Sequence, residues 1–346
     1  MTVHCIRPLS DRRWDELVAR HPQASAFHQR AWLEALSRTY GYELLALTSA
    51  SADQPMRDGV VVCKVRSWIT GTRLVSLPFS DHCDFLWSED SDQKDFSNGL
   101  RAVCEEQHCR YFEVRPLMTN LAAAPELSES GAYCFHVLDL SPSAESLFRA
   151  FHKDSIQRKI RRAEKEKLQC ESGVTAALLD EFYRLLLMTR RRHHMLPQPR
   201  AWFRNLVKAS GSTAEIRVAR KDGHAIAAVL VLRHRNSVVY KYGCSDERVH
   251  QLGGMPLLFW NLVEESKEAG FEHIDFGRSD LDQQGLMTFK DRLGARRRLL
   301  KYYRSRPAEK KRGRSWWKPS SLLQAVPYLP DACLSAAGGV LYRHFG

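Results

Sequence analysis

The run Val238-Val-Tyr-Lys-Tyr-Gly-Cys244 leads through a short polar loop into His250-Gln-Leu-Gly-Gly-Met-Pro256. The first is an apolar and aromatic run bounded by turn residues, which predicts a strand. The second predicts a helix entry. Its paired glycines let the backbone approach a neighbour closely, and Pro256 suits the first turn, where a missing N–H costs nothing. Unpaired N–H groups and the helix dipole make such an entry a place for phosphate, although the same glycines also serve a helix that binds nothing.

Upstream, Ala214–Arg220, a Lys-Asp-Gly turn at 221–223 and Ala225–Leu232 predict a β-hairpin. Downstream come a helix to about Ala269, a strand His273–Gly277, a helix at about 283–292 and a strand Arg298–Arg304. Further back lie a charged helix from Asp154 to Leu168 and helices at about 175–193 and 199–209. The first half reads as two helices, the first capped by Ser10, then strands Glu43–Thr48, Val60–Trp68 and Arg73–Phe79. A helix at about 93–107, a strand at 111–115, a loop at 121–132 and a strand Cys134–Leu140 complete it. The segments 100–116 (LRAVCEEQHCRYFEVRP) and 261–277 (NLVEESKEAGFEHIDFG) echo one another as helix, break and strand. A duplicated half-domain explains the echo, as does chance likeness of two helix–strand units.

The fold class expected is α/β (α+β), with strands and helices mixed in both halves of the chain. The expected divisions are 1–150, 151–306 and a basic, amphipathic tail 307–346. No run of 18 apolar residues marks a spanning helix, and Met1–Pro8 has neither the basic head nor the apolar run of a signal peptide. Nine scattered cysteines without a C-x-x-C motif argue against a disulfide framework or a structural zinc. A reduced, cytoplasmic protein is expected, with most cysteines acting as small buried hydrophobes and no metal required.

Charge is unevenly placed. Residues 1–150 carry 15 basic and 20 acidic side chains, residues 151–289 carry 23 and 17, and residues 290–318 carry 13 and 2. A basic back half suggests an anionic ligand or surface, whether phosphorylated cofactor, tRNA or inner leaflet. On the charged helix, Arg158, Arg161, Arg162 and Lys165 share a face suited to successive phosphates, or they form a solvated face paired with Glu164 and Glu166. Arg190–His194 is a second basic cluster at a helix C-terminus, where cations are favoured in any case. In the tail, Lys310-Lys-Arg-Gly-Arg314 precedes Trp316-Trp317, a combination that suits an anionic membrane surface or a tail packed on the protein.

The strand, Gly-rich helix entry, helix and strand resemble the core of the GNAT acyltransferase fold, although the loop departs from the usual cofactor-loop spacing. Phe271-Glu-His-Ile-Asp-Phe-Gly-Arg-Ser279, followed by Phe289-Lys290 and Leu293-Gly294-Ala295, is similar to the FemAB branch of that fold. So are Trp14, Ala26-Phe27-His28-Gln29, Trp32, Tyr40-Gly41-Tyr42, the segment SLPFSDHCDFL at 76–86 and His152-Lys153. The likeness runs over about residues 5–305.

The resemblance implies tandem GNAT-like domains, each a mixed, mostly antiparallel sheet flanked by helices, in an acyl- or aminoacyltransferase acting on amines or hydroxyls of cell-envelope saccharide or peptide precursors. It implies no permanently bound cofactor: acyl-CoA is the expected co-substrate, with aminoacyl-tRNA as the alternative. No helical-hairpin insertion of the kind some aminoacyl members carry is present, and no DNA partner is expected. The family's Phe-Lys pair falls on Phe289 and Lys290, which places Lys290 near the reacting centre or the substrate phosphates. Acyl transfer builds a negative oxygen that a fixed cation or N–H can stabilise. It also requires a proton acceptor, for which Asp84, beside Asp81 and His82, is a candidate. The alternative for this group is a loop of structural Asp turns. Asp275 and Arg278 lie at the C-terminal end of a strand, where α/β sites collect, or pair with each other. Gly253, Gly254, Met255, Arg158 and Arg162 form the expected donor-binding set. Tyr240 and Tyr242, placed on one strand face by their spacing, line the acceptor site or fill the core. A catalytically silent scaffold or nucleic-acid-binding protein is the reading from another class. Peripheral contact with the inner face of the membrane would run through residues 308–346.

Overall fold

The computed structural model describes residues 2–89, 91–118, 121, 126–305 and 326–345. These form two compact units: 2–132 with 300–305 and 339–345, and 133–299 with 326–338.

In the first unit, β1 (His4–Ile6) precedes α1 (Arg12–Arg20) and α2 (Arg30–Tyr40). Asp11, rather than Ser10, caps α1 by accepting from the Arg13 N–H. Strands β2 (Glu43–Thr48), β3 (Val60–Val65) and β4 (Arg73–Val75) are followed by α3 (Gln93–Glu106) and β5 (Phe112–Val114). Strands β1 to β4 pair antiparallel in succession, and β4 lies parallel to β5.

The second unit begins within β6 (Leu127–Asp139), whose start at Leu127 replaces the end of the expected loop at 121–132. Then come α4 (Ala144–Ala150), a π turn at Lys153–Gln157, α5 (Arg158–Lys165) and β7 (Gln169–Gly173). α6 (Ala176–Arg192) and α7 (Arg200–Ser210) follow. Strands β8 (Ala214–Lys221), β9 (His224–His234) and β10 (Ser237–Ser245) lead to α8 (Gly254–Glu268), β11 (His273–Asp280) and α9 (Gln284–Arg292). Strands β7 to β10 pair antiparallel in succession, β10 lies parallel to β11, and β11 is antiparallel to β6. The chain then returns to the first unit along β12 (Arg296–Ser305), which pairs antiparallel with β5.

The two units repeat one pattern. Each has four antiparallel strands, a parallel pair bridged by a helix, and a last antiparallel strand. The sequence echo falls on its equivalent parts, α3–β5 and α8–β11, as a duplication requires.

Apolar burial sets the division at 132 rather than at 150. Leu138, Leu140 and Leu147 belong to the core built around Phe151, Ile160, Val229, Val231, Leu258, Leu262 and Ile274. Tyr303 on β12 instead enters the other core, with Leu45, Val62, Phe96, Leu100 and Phe112. Five cysteines are buried, while Cys5, Cys170 and Cys333 are exposed. Residues 306–325, which carry the basic run and the tryptophan pair of the expected membrane-docking tail, lie outside the described residues. Beyond them, Asp331–Phe345 is a helix.

Candidate active site

The parallel ladder between β10 and β11 contains Ser237↔His273, Val238↔Ile274 and Val239↔Asp275, and ends there. Past that level β10 continues only along β9, and β11 only along β6. Both strands are irregular at this point. The β10 register shifts between Tyr240 and Tyr242, so that Lys241 is the extra residue of a bulge. The β11 register shifts between Asp275 and Arg278, so that Phe276 and Gly277 oppose the single residue His136. Bulges bend a strand and strengthen its twist, and two at one level part neighbouring strands. The result is that the two strands leave each other's ladder at the C-terminal end of a parallel pair, next to the helix that follows β10.

The β10 bulge overturns the expectation that Tyr240 and Tyr242 share a face. One extra residue breaks the two-residue alternation. Tyr240 turns to α8, with its ring 4.9 Å from Phe259 and 6.2 Å from Phe276. Tyr242 turns to α7: its hydroxyl accepts from Trp202 Nε1 at 2.9 Å and its ring lies 5.0 Å from Phe203. Burial raises the Tyr240 phenol well above its ordinary range.

The β11 bulge is held from both sides. Gly277 has φ +68°, a conformation that strains other residues. Its N–H donates to Asp275 Oδ1 at 2.6 Å. Lys290, 2% exposed, donates to Gly277 O and Arg278 O at 3.1 Å each and to Ser279 Oγ at 2.9 Å. Lys290 and Asp275 therefore act here as clamps on the backbone. The Arg278 guanidinium lies 4.1 Å over the Tyr133 ring. Phe289, half-buried, packs 5.6 Å from Phe259.

Sequence reasoning missed the group behind the bulge. His136 is fully buried, with Nε2 3.3 Å from Asp291 Oδ1, and the Cys134 sulfur lies 3.8 Å from Nδ1. Burial, followed by the nearby Lys290 charge, holds this imidazole below its ordinary pKa, against the pull of Asp291. The strand spacing of Cys134 and His136 already put them on one face, and Asp291 follows Lys290 directly.

Of the expected donor-binding residues, Gly253, Gly254 and Met255 lie at the start of α8, and Arg158 and Arg162 lie on α5. Gly253 has φ +80°, and a Cβ there would lie 2.1 Å from the carbonyl oxygen of Lys159. α5 thus lies against the loop, and the glycine is required by that close approach. Gly254 packs on Ile226 and Ala227. On α5, Ile160 and Ala163 are buried, while Arg158 and Arg162 project outward and pair with Asp154 at 2.8 Å and Glu166 at 2.7 Å. A separate cavity of about 470 Å³ lies between the C-terminal turn of α6 and the end of β10, lined by Arg191, Arg192, His194, Asp246 and Arg248 among others.

Asp84 and His82 belong to the first unit. Asp84 Oδ1 accepts from the N–H groups of Leu117 and Met118 at 3.0 and 2.9 Å, and its carbonyl lies 3.0 Å from His28 Nε2. His82 is buried, edge-on to Phe27 at 5.3 Å. The Tyr302 hydroxyl donates to Asp81 O at 2.6 Å. These contacts fix 81–84 in place, just after a turn in which Leu77 and Phe79 both take positive φ.

Residues 150–291 match the family model of the acetyltransferase (GNAT) domain. The sequence matches no curated protein. Among solved structures, FemX is 14% identical with a TM-score of 0.70, over 87% of this chain and 97% of that one. The C-terminal domain of a putative lysylphosphatidylglycerol synthetase from Agrobacterium fabrum is 15% identical with a TM-score of 0.55, over 96% and 98%. A tandem GNAT protein from the clavulanic acid biosynthesis pathway is 12% identical with a TM-score of 0.56, over 89% and 99%. The match to the acetyltransferase (GNAT) domain thus spans the parted strands, and a fold similar to that of FemX extends over most of the chain.

Proposed function

We propose that the protein transfers an acyl group from acyl-CoA to an amine or hydroxyl of a cell-envelope saccharide or peptide precursor. The observation that carries this reading is the end of the β10–β11 ladder at paired bulges, Lys241 and Phe276-Gly277, next to the start of α8. An extended thioester arm fits between two strands that have left each other's ladder, and main-chain N–H groups at their parted edges can meet the oxygen that becomes negative. A fixed donor of this kind lowers such a barrier by about 3–4 kcal/mol. Lys290 and Asp275 serve the reaction by fixing the β11 bulge, and Tyr240 and Phe289 form part of the apolar wall through Phe259. Arg158 and Arg162 attract the donor phosphates toward the α8 entry. Localisation is cytoplasmic, with peripheral attachment to anionic lipid through residues 308–346. Deleting 308–346 then abolishes sedimentation with anionic vesicles, and unchanged sedimentation excludes that attachment.

A second reading, transfer from aminoacyl-tRNA, draws on a different observation. The Lys159 carbonyl covers Gly253, while the cavity at Arg191, Arg192, His194 and Arg248 offers cations for a polynucleotide backbone.

Thermal-shift titration separates the two. A donor at about 100 times its Kd adds about 2.7 kcal/mol, which raises Tm by several degrees. Acetyl-CoA or a longer acyl-CoA is expected to give the shift, and Arg158→Glu with Arg162→Glu to weaken it. A response to charged tRNA alone supports the second reading. Flat responses to both overturn each of them.

A further inference from the structure

α3 ends with two cysteines placed against each other by the way the helix terminates. Cys109 N–H donates to Cys104 O at 2.8 Å, and His108 between them has φ +51°. This is a Schellman end, a main-chain bond spanning five residues around a left-handed residue, and it characteristically brings the side chains at its two ends into contact. Here both are thiols. Cys104 Sγ lies 3.4 Å from Cys109 O, and the Cys104 thiol donates to that oxygen, while the Cys109 thiol donates to Gln107 O at 3.7 Å. The two differ in surroundings. Cys104 is buried, whereas Cys109 is half-exposed at the helix end. Next to Cys109, Lys64 Nζ is held by Gln107 Oε1 at 2.5 Å. The neighbouring Cys104 thiol, followed by the charges of Lys64 and Arg66, draws the Cys109 thiol below its ordinary pKa against the opposing effect of burial, while Cys104 is pushed up. All nine cysteines of the chain are reduced.

We propose that Cys109 and Cys104 form a peroxide-reactive thiol pair that closes to a disulfide at the end of α3. The Cys109 thiolate attacks the near oxygen of a hydroperoxide, the O–O bond breaks, and the departing alkoxide or hydroxide takes a proton from water. Cys109 is then a sulfenic acid. The Cys104 sulfur attacks the Cys109 sulfur, the S–O bond breaks, and the hydroxyl leaves as water with the Cys104 proton. Two electrons have passed from the sulfurs to the peroxide. Reduction by a dithiol restores the pair.

The tryptic peptide 102–110, AVCEEQHCR, contains both cysteines and no other. The full chain is treated with hydrogen peroxide at neutral pH, blocked with N-ethylmaleimide, digested and weighed. The expected product is that peptide two mass units lighter and unblocked, appearing before Cys5, Cys170 or Cys333 is oxidised and reverting with dithiothreitol. Cys104→Ser is expected to stop at a Cys109 sulfenic acid that dimedone traps, and Lys64→Gln to slow the first step severalfold. Recovery of the peptide with both cysteines blocked, while an exposed cysteine elsewhere is oxidised first, would overturn the proposal. So would dimedone labelling of Cys104→Ser no faster than that of Cys170.

Discussion

Lys290 is the residue at which chemistry and architecture are hardest to separate. A buried ammonium is tolerated because three oxygens meet its three protons, and two of those oxygens are main-chain carbonyls of the β11 bulge. Lys290→Met leaves these acceptors without their donor. It is expected to lower unfolding stability by about 1–3 kcal/mol in urea denaturation, with activity lost as well. Lys290→Arg should not rescue, since a planar fork does not fit a site shaped for a point charge. Tyr242→Phe deprives Trp202 Nε1 of its acceptor and should cost about 1–3 kcal/mol while leaving kcat unchanged. Lost kcat at unchanged stability would instead bring that hydroxyl to the reaction. His136 sets a pH dependence. Its pKa is lowered in the folded state from an ordinary 6.5, so the unfolded chain binds the proton more readily. The stability it confers is complete above 6.5 and is lost as pH falls through that value toward the folded pKa. His193, His250 and His344 act in the same direction. Tm should therefore fall from pH 7 to 5.5 with a shallower slope in His136→Gln, and an unchanged slope would contradict the assignment.

At the scale of elements, legibility followed amphipathic contrast. The hairpin of β8 and β9 and helices α6 to α9 were readable because each sets an apolar face against a polar one or carries strong turn residues. The edge strand β7, Gln-Cys-Glu-Ser-Gly, is almost wholly exposed and has no such contrast, and the start of β6, Leu-Ser-Glu-Ser-Gly, is nearly as polar. Both strands exist because a neighbour pairs with them. The bulges were hidden for another reason. Alternation predicts a regular strand, and only tertiary pairing reveals that Lys241 is extra. Gly277 inside an apolar strand pattern was the one local signal of its bulge. Gly277→Ala should cost about 1–2 kcal/mol for the left-handed backbone and reduce activity more than a substitution of equal cost in β7. Equal activity losses at equal cost would mean that the bulge has no particular role in the reaction.

For the whole molecule, the tandem mixed sheets were expected from the family resemblance, and the echo between 100–116 and 261–277 was open to duplication or to chance until the pairing placed it on equivalent parts. The position of the division was not legible. It depends on which core receives Leu138, Leu147 and Tyr303, and apolar residues do not name their partners. The charge gradient gave the sign of a partner without its identity, because phosphate, polynucleotide and anionic lipid all answer to the same cations. The central claim is that the acyl donor lies between β10 and β11. Photolabelling with an acyl-CoA carrying a benzophenone at the acyl end, followed by tryptic mapping, tests it directly. Label in peptides 236–241, 242–248 or 268–278, competed away by unlabelled acyl-CoA, is the predicted result. Competed label found only outside these peptides would contradict the account.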